Sequence, residues 1–192
     1  MPKFEVQDEY LELIDNPDKV NNTYDFLIAL CQKGFKNLNL KRGSEEHKKY
    51  TDRIYYELDI LKELGFVDYI LLVWKVIHFC NTSDIPVGLG RGSAAGSFVL
   101  YLLGVTKIDS VKYDLFFERF VSKIRAKKKV VDGVTYLDGS LMCDIDMDVC
   151  YYKRKNVLKY LEEEFKGKTS KIRTLNTLSG KLVMKECGKT VE

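Results

Sequence analysis

Apolar residues recur along the chain at helical spacing over most of its length and at strand spacing in one place. From Lys3 to about Tyr50, charged residues alternate with apolar ones at intervals such as Tyr24, Leu27, Ile28 and Cys31, which predicts a helical lead-in. From Asp52, the positions Ile54, Leu58 and Leu61, with Tyr55 alongside, predict an amphipathic helix that stops near Gly65. Tyr69 to Cys80 (YILLVWKVIHFC) is apolar almost throughout and predicts a core helix. It holds Lys75 and His78 and has about half the ~20 residues of a membrane span, so no crossing is expected. Asn81 to Asp84 carry turn chemistry, Ile85-Pro86-Val87 is a short extended run, and Ser93 to Leu103 (SAAGSFVLYLL) predicts a helix packed closely against its neighbours. The local order is helix, strand, glycine loop, helix.

Further along, Lys123 to Lys129 (KIRAKKK) is strongly basic, and Asp132-Gly133 lies between apolar β-formers, a strong hairpin signal. A second Asp138-Gly139 turn leads into Leu141 to Val149, where acidic and apolar residues alternate with the period of a strand. Tyr151 to Phe165 predicts an amphipathic helix with Val157, Leu158, Leu161 and Phe165 inward, ended by Gly167. A last helix is expected over Thr174 to Glu186. There is no internal repeat and no linker rich in Pro, Gly or Ser.

Composition fits a folded chain: 192 residues, 45% hydrophobic, 31% charged and only 3 Pro, which excludes disordered and collagen-like classes. The formal charge of +3 gives no global argument for a nucleic-acid partner, so any such argument must be local. Five cysteines without a CxxC pair indicate neither a disulfide framework nor a zinc ribbon. No charged and apolar leader opens the chain, and a reducing cytoplasm is the expected setting. His78 on an apolar helix and Trp74 beside it are expected in the core, and His47 on the surface.

Two groups of residues carry chemistry. Gly88-Leu89-Gly90-Arg91-Gly92-Ser93 stands between the predicted strand and helix, where glycines let the backbone turn and approach a ligand and a helix start offers free N–H groups to an anion. Arg91 adds positive charge, and Ser93 can cap the helix or donate to a phosphate oxygen. The phosphate loop GxxxxGK[ST] is excluded because no Lys precedes Ser93, and the dinucleotide pattern lacks its following strand and acidic residue. A tight turn with close helix packing is the alternative.

The second group is Asp144, Asp146 and Asp148. On a strand they share one face, about 6.5 Å apart along the chain, while Ile145, Met147 and Val149 take the other. Like charges so placed call for a counter-ion, and two carboxylates can share a pair of Mg²⁺ ions about 3.5–4 Å apart for in-line displacement at phosphorus. An acidic exposed strand face is the alternative. Together, a phosphate loop and a carboxylate pair are the two parts that nucleotidyl transfer needs.

At this level of detail the residues resemble a known family. Ile85 to Ser97 (IPVGLGRGSAAGS) is similar to the PVGPGRGSAAGS motif of the C-family bacterial replicative DNA polymerases, the DNA polymerase III alpha subunits. Tyr113 to Phe120 (YDLFFERF) resembles the family's YDLLFERF, and Cys143 to Asp148 (CDIDMD) its PDIDID motif. Weaker similarity runs through Glu57 and Leu64-Gly65-Phe66 upstream and Thr174 to Lys189 downstream.

The resemblance implies an α+β fold, a polymerase-beta-like nucleotidyltransferase palm with a small mixed sheet flanked by helices. It divides the chain into a helical lead-in (1–50), part of the palm (51–170) and the start of a thumb (171–192). It implies catalytic and metal-binding roles for Asp144 and Asp146 and a supporting role for Asp148. Gly90, Arg91, Gly92, Ser93, Arg119 and Arg125 take positions facing the incoming triphosphate. Lys127, Lys128 and Lys129, in a basic hairpin that replaces a very short family connection, are candidates for contact with DNA backbone. The implied partners are primer-template DNA, a dNTP, two Mg²⁺ ions and a second chain supplying the rest of palm, thumb and fingers, in the cytoplasm of a bacterium or an infected host.

Cys143 and Leu89 replace motif prolines, and Leu175 and Asn176 depart from the thumb pattern. The family's third catalytic aspartate has no counterpart here, so the chain alone is expected not to extend primers. A non-catalytic module binding DNA or a replication partner, and a small nucleotidyltransferase using Asp148 or Glu118 as third carboxylate, are the alternative functions.

Overall fold

The computed structural model describes residues 3–122, 143–172, 177 and 179–189, together with the backbone of residues 128–131 and 134–137. Seven α-helices appear among them: α1 (Asp8–Leu11), α2 (Thr23–Lys36), α3 (Glu45–Glu63), α4 (Val67–Thr82), α5 (Phe98–Leu102), α6 (Arg154–Glu164) and α7 (Gly180–Lys189). Short 3-10 turns cover Pro17–Lys19, Gly92–Gly96, Phe117–Arg119 and Tyr151–Lys153. Strands β1 (Lys128–Val131) and β2 (Val134–Leu137) form one antiparallel hairpin with Val131 opposite Val134. The hairpin expected about Asp132-Gly133 is therefore present, its two turn residues lying outside the described set.

The helices begin where side chains can satisfy their first N–H groups. Asn22 accepts from the Asp25 amide at 3.0 Å to start α2, and Ser44 accepts from the His47 amide at 3.1 Å to start α3, earlier than the apolar spacing from Asp52 indicates. At the far end of α3, Gly65 turns at φ +71° while the Phe66 amide returns to the Leu61 carbonyl at 2.9 Å. Helix α4 then runs through the middle of the molecule, burying Ile70, Leu71, Trp74 and Ile77. One core gathers α2, α3, α4 and α5 with Phe4, Tyr10, Val111 and Phe117. Helix α6 closes the other side of α4, where Phe79 and Tyr160 stack face to face at 3.8 Å and Lys75 pairs with Glu164.

Helices α2 and α5 touch backbone to backbone. A Cβ on Gly34 would stand 2.3 Å from the Leu102 carbonyl oxygen, closer than any real contact. Gly34→Ala is therefore expected to separate the pair at a cost of about 1–3 kcal/mol. A melting point lower by about 3–10 °C is the measurable consequence, and an unchanged one would mean that α5 moves freely against α2.

Two expectations are corrected, and the expected mixed sheet has no counterpart among the described residues. The described residues are mostly helical and hold no mixed sheet. The segment after Leu141 is extended from Cys143, yet its only ladder contact among described residues is an isolated antiparallel bridge, Val149 to Val87. Its alternation of exposed Asp144, Asp146 and Asp148 with half-buried Ile145, Met147 and Val149 reports which face meets the core, which does not require a paired neighbour. Finally, the single helix expected over Ser93–Leu103 is broken at Ser97 into a 3-10 turn and α5. Ser97, not Ser93, caps α5, accepting from the Leu100 amide at 3.3 Å. The last helix is α7, from Gly180, with residues 174–176 and 178 of the expected span outside the described set.

Candidate functional site

The break at Ser97 has a cause on α3. Ile54, Glu57, Leu58 and Leu61 form the inward stripe of that helix, so a carboxylate occupies a core position. Glu57 is fully buried and accepts four hydrogen bonds: from the Ser97 hydroxyl (2.8 Å), the Phe98 amide (2.9 Å), the Val99 amide (3.0 Å) and Arg53 Nε (2.6 Å). Burial raises the proton affinity of this carboxyl, and the two backbone amides and the Arg53 guanidinium oppose that rise. Arg53 Nη2 in turn donates to the Gly96 and Leu115 carbonyls, both at 2.8 Å. The Arg53–Glu57 pair thus takes the backbone groups that a continuous helix would have used and ties the glycine loop to the segment before Phe116.

The loop itself is held from two sides. The Gly88 amide donates to the Asp148 carbonyl (2.8 Å), the Cys150 amide to the Pro86 carbonyl (3.0 Å), and the Lys107 amide to the Leu89 carbonyl (2.8 Å). Two glycines are required here. A Cβ on Gly88 would stand 2.9 Å from the Asp148 Cβ, and Gly90, at φ +112°, lies where a Cβ would meet Thr106 at 3.0 Å.

These contacts bring the two predicted groups together. Arg91 Nη1 reaches Asp148 Oδ1 at 3.2 Å, an exposed pair. Gly92, at φ +61°, stands next to Asp146, where a Cβ would lie in ordinary contact, 3.4 Å from its Oδ2. Gly92 also lines a cleft of about 380 Å³ with Ser93, Gly96, Leu115, Phe116 and Arg119, a volume in the ligand-pocket range. Ser93 is half-buried, and the Arg119 guanidinium is exposed with no ion-pair partner among the described residues. Its neighbour Glu118 accepts from the Tyr56 hydroxyl, which holds the Glu118 carboxyl below its ordinary range.

Asp144 is exposed on the same side of the extended segment as Asp146. Among the described residues no three His, Cys, Asp or Glu side chains converge to hold a metal. Asp146, beside Gly92, and Asp144, on the same segment, are the carboxylates that could hold Mg²⁺, which is commonly held by one or two carboxylates together with substrate phosphates. Arg125 and Lys127 fall outside the described residues; Lys128 and Lys129 lie on β1, described in backbone only. Trp74 is in the core, with the half-buried His78 stacked on it at 5.2 Å.

Sequence reasoning missed the Arg53–Glu57 clamp and Phe116, which is 68% exposed in the cleft. The clamp has a signal: a Glu on the apolar stripe of a helix with an Arg four residues before it. Phe116 has none, because an aromatic beside Phe117 reads as core.

The chain is similar over residues 25–192 to the model of the bacterial DNA polymerase III alpha NTPase domain. It is 36% identical over 177 residues to the DNA polymerase III subunit alpha of Borreliella burgdorferi, covering 92% of this chain and 14% of that protein. With the Aquifex aeolicus subunit it shares 32% over 193 residues, 100% of this chain and 14% of the relative. With that of Chlamydia trachomatis it shares 37% over 178 residues, 87% and 13%. The chain thus spans about a seventh of the length of the curated relatives it matches.

Proposed function

The chain belongs to the bacterial DNA polymerase III alpha subunit family, and from that membership we propose that it forms the part of a DNA-directed DNA polymerase that holds the incoming nucleotide's phosphates and the catalytic metals. The observation that carries this reading is the position of Gly92, which neighbours the Asp146 carboxylate and lines the cleft that holds Arg119. Charge placed for a metal and charge placed for a phosphate meet at one residue.

In this reading the backbone of Gly90 to Gly92 and the Ser93 hydroxyl donate to phosphate oxygens, and Arg119 supplies a fixed positive charge. Asp144 and Asp146 hold Mg²⁺, which when bound neutralises charge on the attacking and leaving oxygens. Asp148 positions Arg91, and through it the loop. The segment from Cys143 to Val149 serves as one strand of a nucleotidyltransferase palm. On the same reading a second chain supplies the rest of the palm, with the third carboxylate, and the thumb and fingers. Primer-template DNA and dNTPs are the substrates, and among the described residues no helix is long and apolar enough to cross a membrane.

Calorimetry with a dNTP and Mg²⁺ tests the cleft directly. The expected result is Mg²⁺-dependent binding that Arg119→Ala weakens about tenfold or more, the value of a hydrogen bond to a charged group. Ser93→Ala is expected to weaken it by a smaller factor. Binding without Mg²⁺ dependence, or unaltered by Arg119→Ala, would overturn the assignment.

A further inference from the structure

Beyond the cleft, the chain carries a second surface that the nucleotide site does not use. Tyr151 and Tyr152 are 83% and 90% exposed, the most exposed aromatic rings among the described residues. They form the 3-10 turn that follows the bridge at Val149, and their rings meet edge to face at 5.7 Å and 82°. The turn is fixed at both ends. The Cys150 amide bonds the Pro86 carbonyl at 3.0 Å, Lys153 Nζ donates to the Asp84 carbonyl, and Val157 anchors the first turns of α6 in the core.

Arg154 and Lys155 follow immediately, exposed and without a side-chain partner among the described residues. The nearby carboxylates are already engaged, Asp84 by Lys153 at 3.8 Å and Asp148 by Arg91. Two rings on a turn held at both ends, open to solvent beside two cations without a partner among the described residues, are the combination that binds single-stranded nucleic acid, where bases stack on rings and phosphates meet the cations. A duplex keeps its bases stacked on each other and offers no free face.

We propose that Tyr151, Tyr152, Arg154 and Lys155 bind an unpaired stretch of DNA. Because the rings stand at right angles, bases on the two faces cannot remain stacked on each other, and the strand is splayed at this point. Tyr151 lies five residues past Asp146, at most about 17 Å in extended chain, so the splayed bases sit within a few nucleotides of the proposed metal site. That the ligand is DNA rests on the polymerase reading.

The test is fluorescence anisotropy of the whole 192-residue chain with labelled oligothymidine of about 12 nucleotides, within the usual span of such sites. The single strand should bind about fivefold or more tightly than a duplex of equal length. Replacing both tyrosines by Ala should weaken binding about tenfold or more, whereas replacing both by Phe should leave it within about twofold because the stacking faces remain. Arg154→Ala with Lys155→Ala should reduce the salt slope by about 1.4, two phosphate contacts at ~0.7 each.

Tyr55→Ala, an exposed tyrosine elsewhere, is the control and should change nothing. Absence of oligothymidine binding, equal affinity for duplex, or a Phe variant as weak as the Ala variant would each overturn the proposal. Oligothymidine binding without any Mg²⁺-dependent dNTP binding would overturn the polymerase reading alone, and the reverse would overturn this surface alone.

Discussion

Glu57→Ala is expected to cost about 4 kcal/mol of folding stability, the range for breaking a buried charge pair from one side. The substitution leaves two buried backbone amides, a buried hydroxyl and the Arg53 guanidinium without their acceptor. The net stability of a domain is about 5–15 kcal/mol, so about a quarter or more of it rests on one side chain. For a chain of this size the midpoint of thermal unfolding should fall by about 8–16 °C. Glu57→Gln should cost about half as much: whichever way the amide is turned, its NH2 faces at least one backbone N–H, leaving a donor unsatisfied.

Arg53→Ala in either background separates the clamp from simple burial. Arg53 alone joins the Gly96 and Leu115 carbonyls, so the double substitution should cost clearly less than the sum of the two single ones. Urea unfolding with an unchanged slope and a loss under about 1 kcal/mol for Glu57→Ala would mean that other contacts fix the loop.

The clamp also shows what could be read from the sequence and what could not. Helices α3 and α4 follow from local periodicity because each lays one apolar stripe on a shared core, and the stripe is written in consecutive turns. The break at Ser97 is not local. Ser93 to Leu103 has the small and apolar residues of a helix, and what interrupts it is a carboxylate 40 residues upstream that takes the Phe98 and Val99 amides, and an arginine that takes the Gly96 carbonyl. The contact of Gly96 with the Phe116 carbonyl, where a Cβ would stand 2.7 Å away, likewise joins residues distant in sequence.

In the aspartate segment, alternation foretold the exposure of Asp144, Asp146 and Asp148, since side-chain direction is fixed by the backbone. It said nothing of hydrogen-bonded partners, which belong to other segments. Helix α7 buries no residue, so no packing pattern set its start. The candidate site was more legible than the fold around it. Gly92, Ser93 and Arg119, named from motifs some 26 residues apart, line one cleft.

Asp144→Asn together with Asp146→Asn, in an assembled polymerase that contains this chain, is expected to reduce primer extension about a thousandfold or more, equivalent to ~4 kcal/mol of barrier. Amides keep the shape of the two side chains but lose the charge proposed to bind Mg²⁺, and both residues are exposed, so folding should be unaffected. Asp148→Asn is the informative contrast. Its partner Arg91 lies in an exposed pair at 3.2 Å, and such pairs contribute about 0–1 kcal/mol. Its effect should therefore be about fivefold or less, expressed mainly in the KM for the dNTP, because it loosens the loop and removes no metal ligand. The 192-residue chain by itself should show no extension, since among the described residues no third carboxylate joins Asp144 and Asp146 to complete the oxygen ligands that Mg²⁺ requires. Equal losses for Asp148→Asn and for the Asp144/Asp146 pair would place the metals on the whole acidic face and not on its first two members. Extension that survives the paired substitution would remove the metal role from this segment altogether.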